Sequence, residues 1–279
     1  LYSYWGRFGV SFMVTPNHSM LFRTARVKSL RQCEAKDLPT VFYVPRKGKW
    51  KGKKLDMELV FESDGNNGKK YNLKLNSFLD FLGWYLSEGC TDTSRYTISI
   101  TQLHEKNKKD LEKMLNNLKV NWHYNGRVYS FNSKGFVKYL RQFGLCHEKF
   151  IPTWIKELSS KDLSVIFNSL MKGDGHKTRE GKFIYVTNSR QLCSDISEIG
   201  LKLGYIPTVY TYPRKNKKYP NGKMYIQKEY YHISLTDKKD DTEVRKIKKI
   251  DYKGKVYCVN VPPFHNVLIR HRGRIMFCG

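Results

Sequence analysis

Apolar positions follow two rhythms along this chain. From Asn76 to Cys90 the sequence NSFLDFLGWYLSEGC is apolar on nearly every side, which predicts a helix buried all round rather than one with a single apolar stripe. Asn76 or Ser77 is placed to cap its start, and Gly89 to end it. Residues 159–175, SSKDLSVIFNSLMKGDG, repeat the plan, with Ser159 and Asp162 spaced as a capping box and Gly175 as terminator. Period-two stretches, YTISIT (96–101) and KFIYVT (182–187), predict strands. Each is followed by a helical pattern, EKNKKDLEKMLNNL in one case and SRQLCSDISEIGLKLG in the other.

Superimposing the two apolar helices gives more than a shared pattern. FLGWYLSEG (81–89) and FNSLMKGDG (167–175) both carry small residues four apart, Gly83 with Ser87 and Ser169 with Gly173. Residues at i and i+4 share a helix face, and small ones there let two backbones approach closely. Both segments end in an acid followed by glycine, Glu88-Gly89 and Asp174-Gly175. A carboxylate is unfavourable at the negative end of a helix dipole, so helix stability does not explain why the acid recurs. A metal ion does. If the small faces pack together, Glu88 and Asp174 stand side by side. Two carboxylates suit magnesium, with manganese as an alternative, because such an ion keeps waters and phosphate oxygens in its shell. Ions of this kind activate water and stabilise the leaving oxygen in phosphodiester hydrolysis. Taken singly, each segment reads equally well as an ordinary buried helix.

Charge supports the pairing of these acids with a phosphodiester. Lysine and arginine number 51 against 25 acids, a formal net charge of +26, which implies a polyanionic partner. At 40% hydrophobic and 14% aromatic the chain is a folded protein rather than a basic tail. Membrane attachment is the competing explanation of the charge. No apolar run reaches spanning length, and the lysines are not gathered on one amphipathic segment. The six cysteines are scattered without a Cys-x-x-Cys pair, which argues against a zinc site or a disulfide framework. With no signal peptide in view, a cytoplasmic setting, or wherever the host protein and DNA reside, is expected.

The two nine-residue segments resemble the paired motifs of LAGLIDADG homing endonucleases and align with them without gaps. The resemblance implies a monomeric α+β fold in which two pseudo-symmetric αββαββα halves set saddle-shaped sheets over a long, specific double-stranded DNA site. It also implies that Glu88 and Asp174 are catalytic and bind the metal. Asn168 and Lys172 are less apolar than the family pattern, so looser helix packing is expected. HEKFIPTWI (147–155) is very like a lysine-containing motif of endonuclease-bearing inteins, which makes Lys149 a candidate base or transition-state stabiliser on a loop edge turned by Pro152. Its counterpart in the second half is open among Lys246, Lys248 and Lys249.

Reading of DNA is expected from outward strand residues, since a β-ribbon enters the major groove. The candidates are Ser94, Arg95, Thr97, Ser99, Thr101, Arg127, Tyr129 and Ser130 in the first half. Lys182, Tyr185, Gln227, Tyr230 and His232 serve the second. Lysines such as those of RKNKKYPNGK (214–223) fit phosphate contacts. Polar alternation is equally the solvent face of any half-buried strand.

The flanks have another character. VTPNHSMLF (14–22) resembles the Thr-x-x-His motif of inteins at Thr15 and His18, and KVYCVNVPPFHNVLIRHRGRIMFCG (255–279) resembles their C-terminal motifs, with His265-Asn266 and with Cys258 where many members carry aspartate. The resemblance implies an all-β Hint splicing domain made of residues 1–64 and 243–279, interrupted by an endonuclease domain at 65–242. A nucleophile does not open the sequence, nor does an asparagine close it. Either the sequence is a fragment, or the N-terminal strands come from a separate N-terminal intein fragment, which would then be a partner, as in split inteins. The alternative function is a protein-splicing element whose insert binds DNA without cutting it.

Overall fold

The computed structural model describes residues 1–62, 69–218, 222–237, 240–257, 259, 261–262 and 266–278. It divides into two compact units. Leu1–Lys49, Gly204–Val209 and Leu235–Gly279 form the first; Trp50–Leu203 and Tyr210–Ser234 form the second. The boundary expected near residue 65 thus falls inside the second unit, which begins at Trp50.

The N-terminal part of the first unit supplies β1 (Tyr2–Gly6), β2 (Ser11–Val14), β3 (Ser19–Phe22), β4 (Arg31–Glu34) and β5 (Phe42–Pro45). The second unit opens on a hairpin, β6 (Glu58–Glu62) with β7 (Lys70–Lys74). Phe61 anchors it, stacking at 4.3 Å on Phe136. Next come α1 (Leu75–Glu88), β8 (Gly89–Asp92), β9 (Thr97–Thr101), α2 (Glu105–Asn117), β10 (Trp122–Tyr124), β11 (Val128–Asn132) and α3 (Lys134–Leu140). This half has the expected αββαββα order, and its sheet runs β10-β11-β9-β8.

After the single turn α4 (Thr153–Lys156), the second half contains α5 (Ser160–Gly173), β12 (Gly175–Lys177), β13 (Phe183–Thr187), α6 (Arg190–Lys202), β14 (Ile206–Tyr212), the hairpin β15 (Lys215–Lys218) and β16 (Met224–Gln227), and β17 (Tyr230–Thr236). Its sheet runs β12-β13-β17-β14. Here the structure corrects the expectation of two equal halves. Among the described residues the second has no closing helix, and it carries an extra hairpin. The reason is local: the sequence after β17 alternates, burying Thr242 and Val244, and extends as β18 (Asp241–Lys249). With β19 (Val267–His271) and β20 (Arg274–Cys278), β18 completes the first unit. The main sheet of that unit is β2-β1-β18-β5, around a core of Tyr4, Phe12, Met20, Phe42 and Val244.

The helix ends depart partly from expectation. Ser159 caps α5, accepting from the Asp162 amide at 3.3 Å and donating to its carboxylate at 2.6 Å. The reciprocal half of the expected capping box is not formed, since the Ser159 amide donates to the Lys53 carbonyl at 2.8 Å. The start of α1 has no such cap. Its N-cap position is Lys74, so Asn76 and Ser77 lie inside the first turn. Gly89 is not a left-handed terminator either, since its φ of −92° and ψ of 150° lead directly into β8. A Cβ there would lie 2.5 Å from the Tyr85 ring, so lack of room calls for glycine. The looser packing expected of α5 does not arise. Asn168 faces solvent, and Lys172 leaves the helix pair to meet Asp110 of α2 at 2.7 Å.

Candidate active site

α1 and α5 pack along the faces that carry their small residues. A methyl added at Gly83 would lie 2.6 Å from Ser169 Cβ and 2.8 Å from the Ile166 carbonyl oxygen. One added at Gly173 would lie 2.3 Å from Ser87 Cβ. Each helix thus sets a glycine against a serine of the other. The serines also close the polar inventory of the interface. Ser87 Oγ lies 3.1 Å from the Gly83 carbonyl, 3.3 Å from that of Leu170 and 3.2 Å from the Tyr185 hydroxyl. Ser169 Oγ donates to Asp80 at 2.5 Å.

This packing places Glu88 and Asp174 at one end of the pair, where each acid feels the other. Burial, then the charge of Glu88, pushes Asp174 up to about 7, against the pull of Lys149. The Asp174 side chain is at the same time exposed to solvent, at the end of α5. Glu88 is half-buried and likewise raised by burial, with Lys149 and then His104 opposing. Lys149 sits on the loop before α4, as the sequence implied. It is buried, and its amine donates to the carbonyls of Tyr85 and Gly89, both at 2.8 Å. Both carbonyls lie at the C-terminal end of α1, where Tyr85 also accepts from the Gly89 amide, so the ammonium sits where the helix is most negative. Burial brings Lys149 down to about 8, with Asp174 the largest opposing influence.

Two carboxylates held together against their mutual repulsion, with an open edge, fit a hard divalent cation that keeps other oxygens in its shell. Among the described residues no cluster of three or more His, Cys, Asp or Glu side chains offers a fuller cage. The sign of the pH effect follows. Because the folded pKa of Asp174 lies above its ordinary 3.8, its stabilising contribution is present in acid and lost as pH rises through about 7. A bound cation offsets that loss. Magnesium should therefore raise the melting temperature more at pH 8 than at pH 6, and equal shifts at both would place the ion elsewhere.

Two neighbours, Gln102 and His104, escaped the sequence reading, and a third, Tyr185, is placed otherwise than expected. Gln102 is 1% exposed; its side-chain oxygen accepts from the His104 amide at 2.9 Å, while its Nε2 has no partner. His104 itself acts on Glu88. Their only sequence signal is the polar Gln-Leu-His stretch that ends an apolar strand. Tyr185 stands across from Gly175, where the first half sets Ile100 across from Gly89. It was assigned to the DNA face, but it is buried on the inner face against Ser87.

No family model matches the sequence. Two curated relatives are similar to it. An ATP-dependent Clp protease proteolytic subunit of Chlamydomonas moewusii is 25% identical over 228 residues, 72% of this chain. A ribonucleoside-diphosphate reductase subunit beta of Aquifex aeolicus is 28% identical over 160 residues, 51% of this chain. The chain spans only 22% of the length of each. Among solved structures, the N-terminal LAGLIDADG domain of DUF199/WhiA is similar with a TM-score of 0.37 and 8% identity, over 60% of this chain and 77% of that one. I-DmoI in complex with DNA and Ca is similar with a TM-score of 0.39 and 14% identity, over 58% and 83%.

Of the proposed DNA-facing residues, Thr97, Ser99 and Thr101 alternate outward from the buried Ile98 and Ile100, with Ser130 paired to Ser99. Arg95 and Arg127 are exposed in the turns before β9 and β11. Ser94 is exposed too, but its hydroxyl is held by Asp92 at 2.6 Å. Tyr129 is a second correction. It is buried on the inner face, and its hydroxyl donates to Glu112 at 2.7 Å. In the second half, Lys182 is half-buried before β13 and pairs with Glu180, and Gln227 lies on β16. Tyr230 stacks on Tyr212 at 4.7 Å. His232 lies beside Tyr210, with a buried Nδ1 that has no partner.

The splicing candidates lie in the first unit. The His18 amide donates to the Thr15 carbonyl at 3.1 Å, and His18 Nε2 lies 2.9 Å from Cys278 Sγ. Cys258 and His265 lie outside the described residues. Lys248 and Lys249, like Lys246, belong to β18 of the first unit, while Lys149 belongs to the second.

Proposed function

We propose that this chain is a LAGLIDADG homing endonuclease carried in an intein, a metal-dependent enzyme that cuts both strands of a long DNA site. The observation that carries the reading is the pairing of Glu88 with Asp174 at the end of two small-faced helices, beside the buried Lys149. Ordinary packing does not call for two acids there, since burial raises both and the charge of Glu88 raises Asp174 further. The carboxylates would hold magnesium or manganese. When bound, that ion supplies charge for the scissile phosphate and an acidified water. The protein's part is to present two anionic side chains side by side and, through the buried Lys149, to keep a positive charge beside them. The outward Ser, Thr and Arg positions of the β10-β11-β9-β8 sheet face the bases, and the exposed lysines face phosphates.

Carriage in an intein rests on the flanking motifs, and the two relatives are compatible with it. A protease subunit and a reductase subunit share no chemistry, yet each resembles this chain over 22% of its own length. A segment common to both fits a module carried in either better than a part of either catalytic machinery. Thr15, His18, Cys258 and His265 are the splicing residues of this reading. The nuclease would act as a monomer, in the cytoplasm or wherever its host and DNA reside.

The test is cleavage of a duplex selected from a randomised library, with and without chelator. Double-strand cuts with magnesium and none with EDTA are expected; cutting in EDTA would end the metal reading. Binding should also be steep in salt. About 8 phosphate contacts lose roughly a thousandfold in affinity between 50 and 200 mM salt. A flat titration would assign the +26 charge to something else.

A further inference from the structure

Lys149 reaches the candidate site only because something holds its backbone, and the holding groups lie on α6, at the other side of the sequence from α1. The Ser189 hydroxyl donates to the Lys149 carbonyl at 2.5 Å. Two residues on, the Ile151 amide donates to Asp195 at 2.7 Å. The segment between is thus gripped at both ends, with Phe150 packed on Phe143 at 5.2 Å and Pro152 fixing the exit.

The depth of these groups is the unusual part. Ser189 is 0% exposed and Asp195 1%. An isolated buried carboxylate is costly, so its partners must be complete. Besides the Ile151 amide, Asp195 accepts from Lys156 at 2.8 Å and Gln191 at 2.9 Å. Helix packing alone does not call for a carboxylate here. One that accepts a backbone amide fixes the course of the chain, and through it the direction of the lysine.

We propose that Asp195 and Ser189 are positioning residues for Lys149. They anchor its backbone on the second half, so that its amine is delivered to the end of the first half's helix. The inference rests on the reading of Lys149 as part of the site. A displacement near 1 Å of such a group costs on the order of a hundredfold in rate.

The experiment uses the full chain and two readouts. Acetic anhydride labelling followed by mass spectrometry measures how protected the Lys149 amine is, and single-turnover cleavage of the selected duplex measures the chemical step. Asp195→Asn and Ser189→Ala should each expose Lys149 to labelling and lower the cleavage rate about a hundredfold, with DNA affinity held. Glu198→Gln is the control, because Glu198 also meets Lys156, at 3.2 Å, but does not touch the 149–151 backbone. It should behave as wild type. Unchanged labelling in Asp195→Asn and Ser189→Ala overturns the proposal, as does a Glu198→Gln effect equal to theirs, which would mean general loosening of α6. Ser189→Ala decides the matter if Asp195→Asn fails to fold. Lys149→Gln separates the two claims: full cleavage there would remove Lys149 from the site while leaving the labelling result to stand or fall alone.

Discussion

Asp174→Asn is expected to lower double-strand cleavage below about one thousandth of wild type, roughly 4 kcal/mol of barrier, while the protein melts at the same temperature or higher. The two effects have one cause. The carboxylate is held at about 7 by burial and by Glu88, so it is strained as an anion and useful only with a cation beside it. Removing its charge relieves the strain and removes the ligand. Glu88→Gln should behave alike. DNA affinity in magnesium-free buffer should hardly change, since these acids repel phosphate rather than bind it. Gel-shift and single-turnover assays on the same preparations measure both quantities. A variant that keeps full activity would show that the acids are ordinary helix-end residues.

The second large effect is steric. Gly83→Val should destabilise the second unit by about 3 kcal/mol or more, at the upper end of the cost of overpacking, because even a methyl there would lie 2.6 Å from Ser169 Cβ and 2.8 Å from a backbone oxygen. The backbone cannot move aside as a side-chain tip can. Gly173→Val should do the same against Ser87. Gly83→Ser joined with Ser169→Gly should recover part of the loss of Gly83→Ser alone, since it exchanges the bulky and bare positions. Urea unfolding of the three variants measures the recovery, and additive losses would show that the two positions do not meet.

What the sequence showed and what it hid divide along physical lines. The helix pair was legible because all-round apolarity, small residues at i and i+4, and a repeated acid are local patterns. The N-cap of Ser159 was legible for the same reason. Tyr129 and Tyr185 were misplaced because an amphipathic tyrosine suits either face of a strand, and only the register across from Gly175 or beside Ile100 decides which. The burial of Lys149 was hidden because it depends on α6, about 40 residues away in sequence. The missing closing helix of the second half reflects Thr242 and Val244, whose inward alternation becomes meaningful only once β1 and β5 are there to flank β18. Among the described residues no helix is long and apolar enough to cross a membrane.

The glycine–serine matches have a consequence for which halves can recognise each other. Gly83 corresponds to Ser169 and Ser87 to Gly173 in the repeat, and these are the positions that face one another. Two copies of the first half would therefore set Gly83 against Gly83 and Ser87 against Ser87, one gap and one collision. Two copies of the second would set Ser169 against Ser169 and Gly173 against Gly173, with the same penalty reversed. Only unlike halves close without void or overlap, so the duplicated unit has lost the ability to pair with itself, and a half supplied in trans would be accepted only by its opposite.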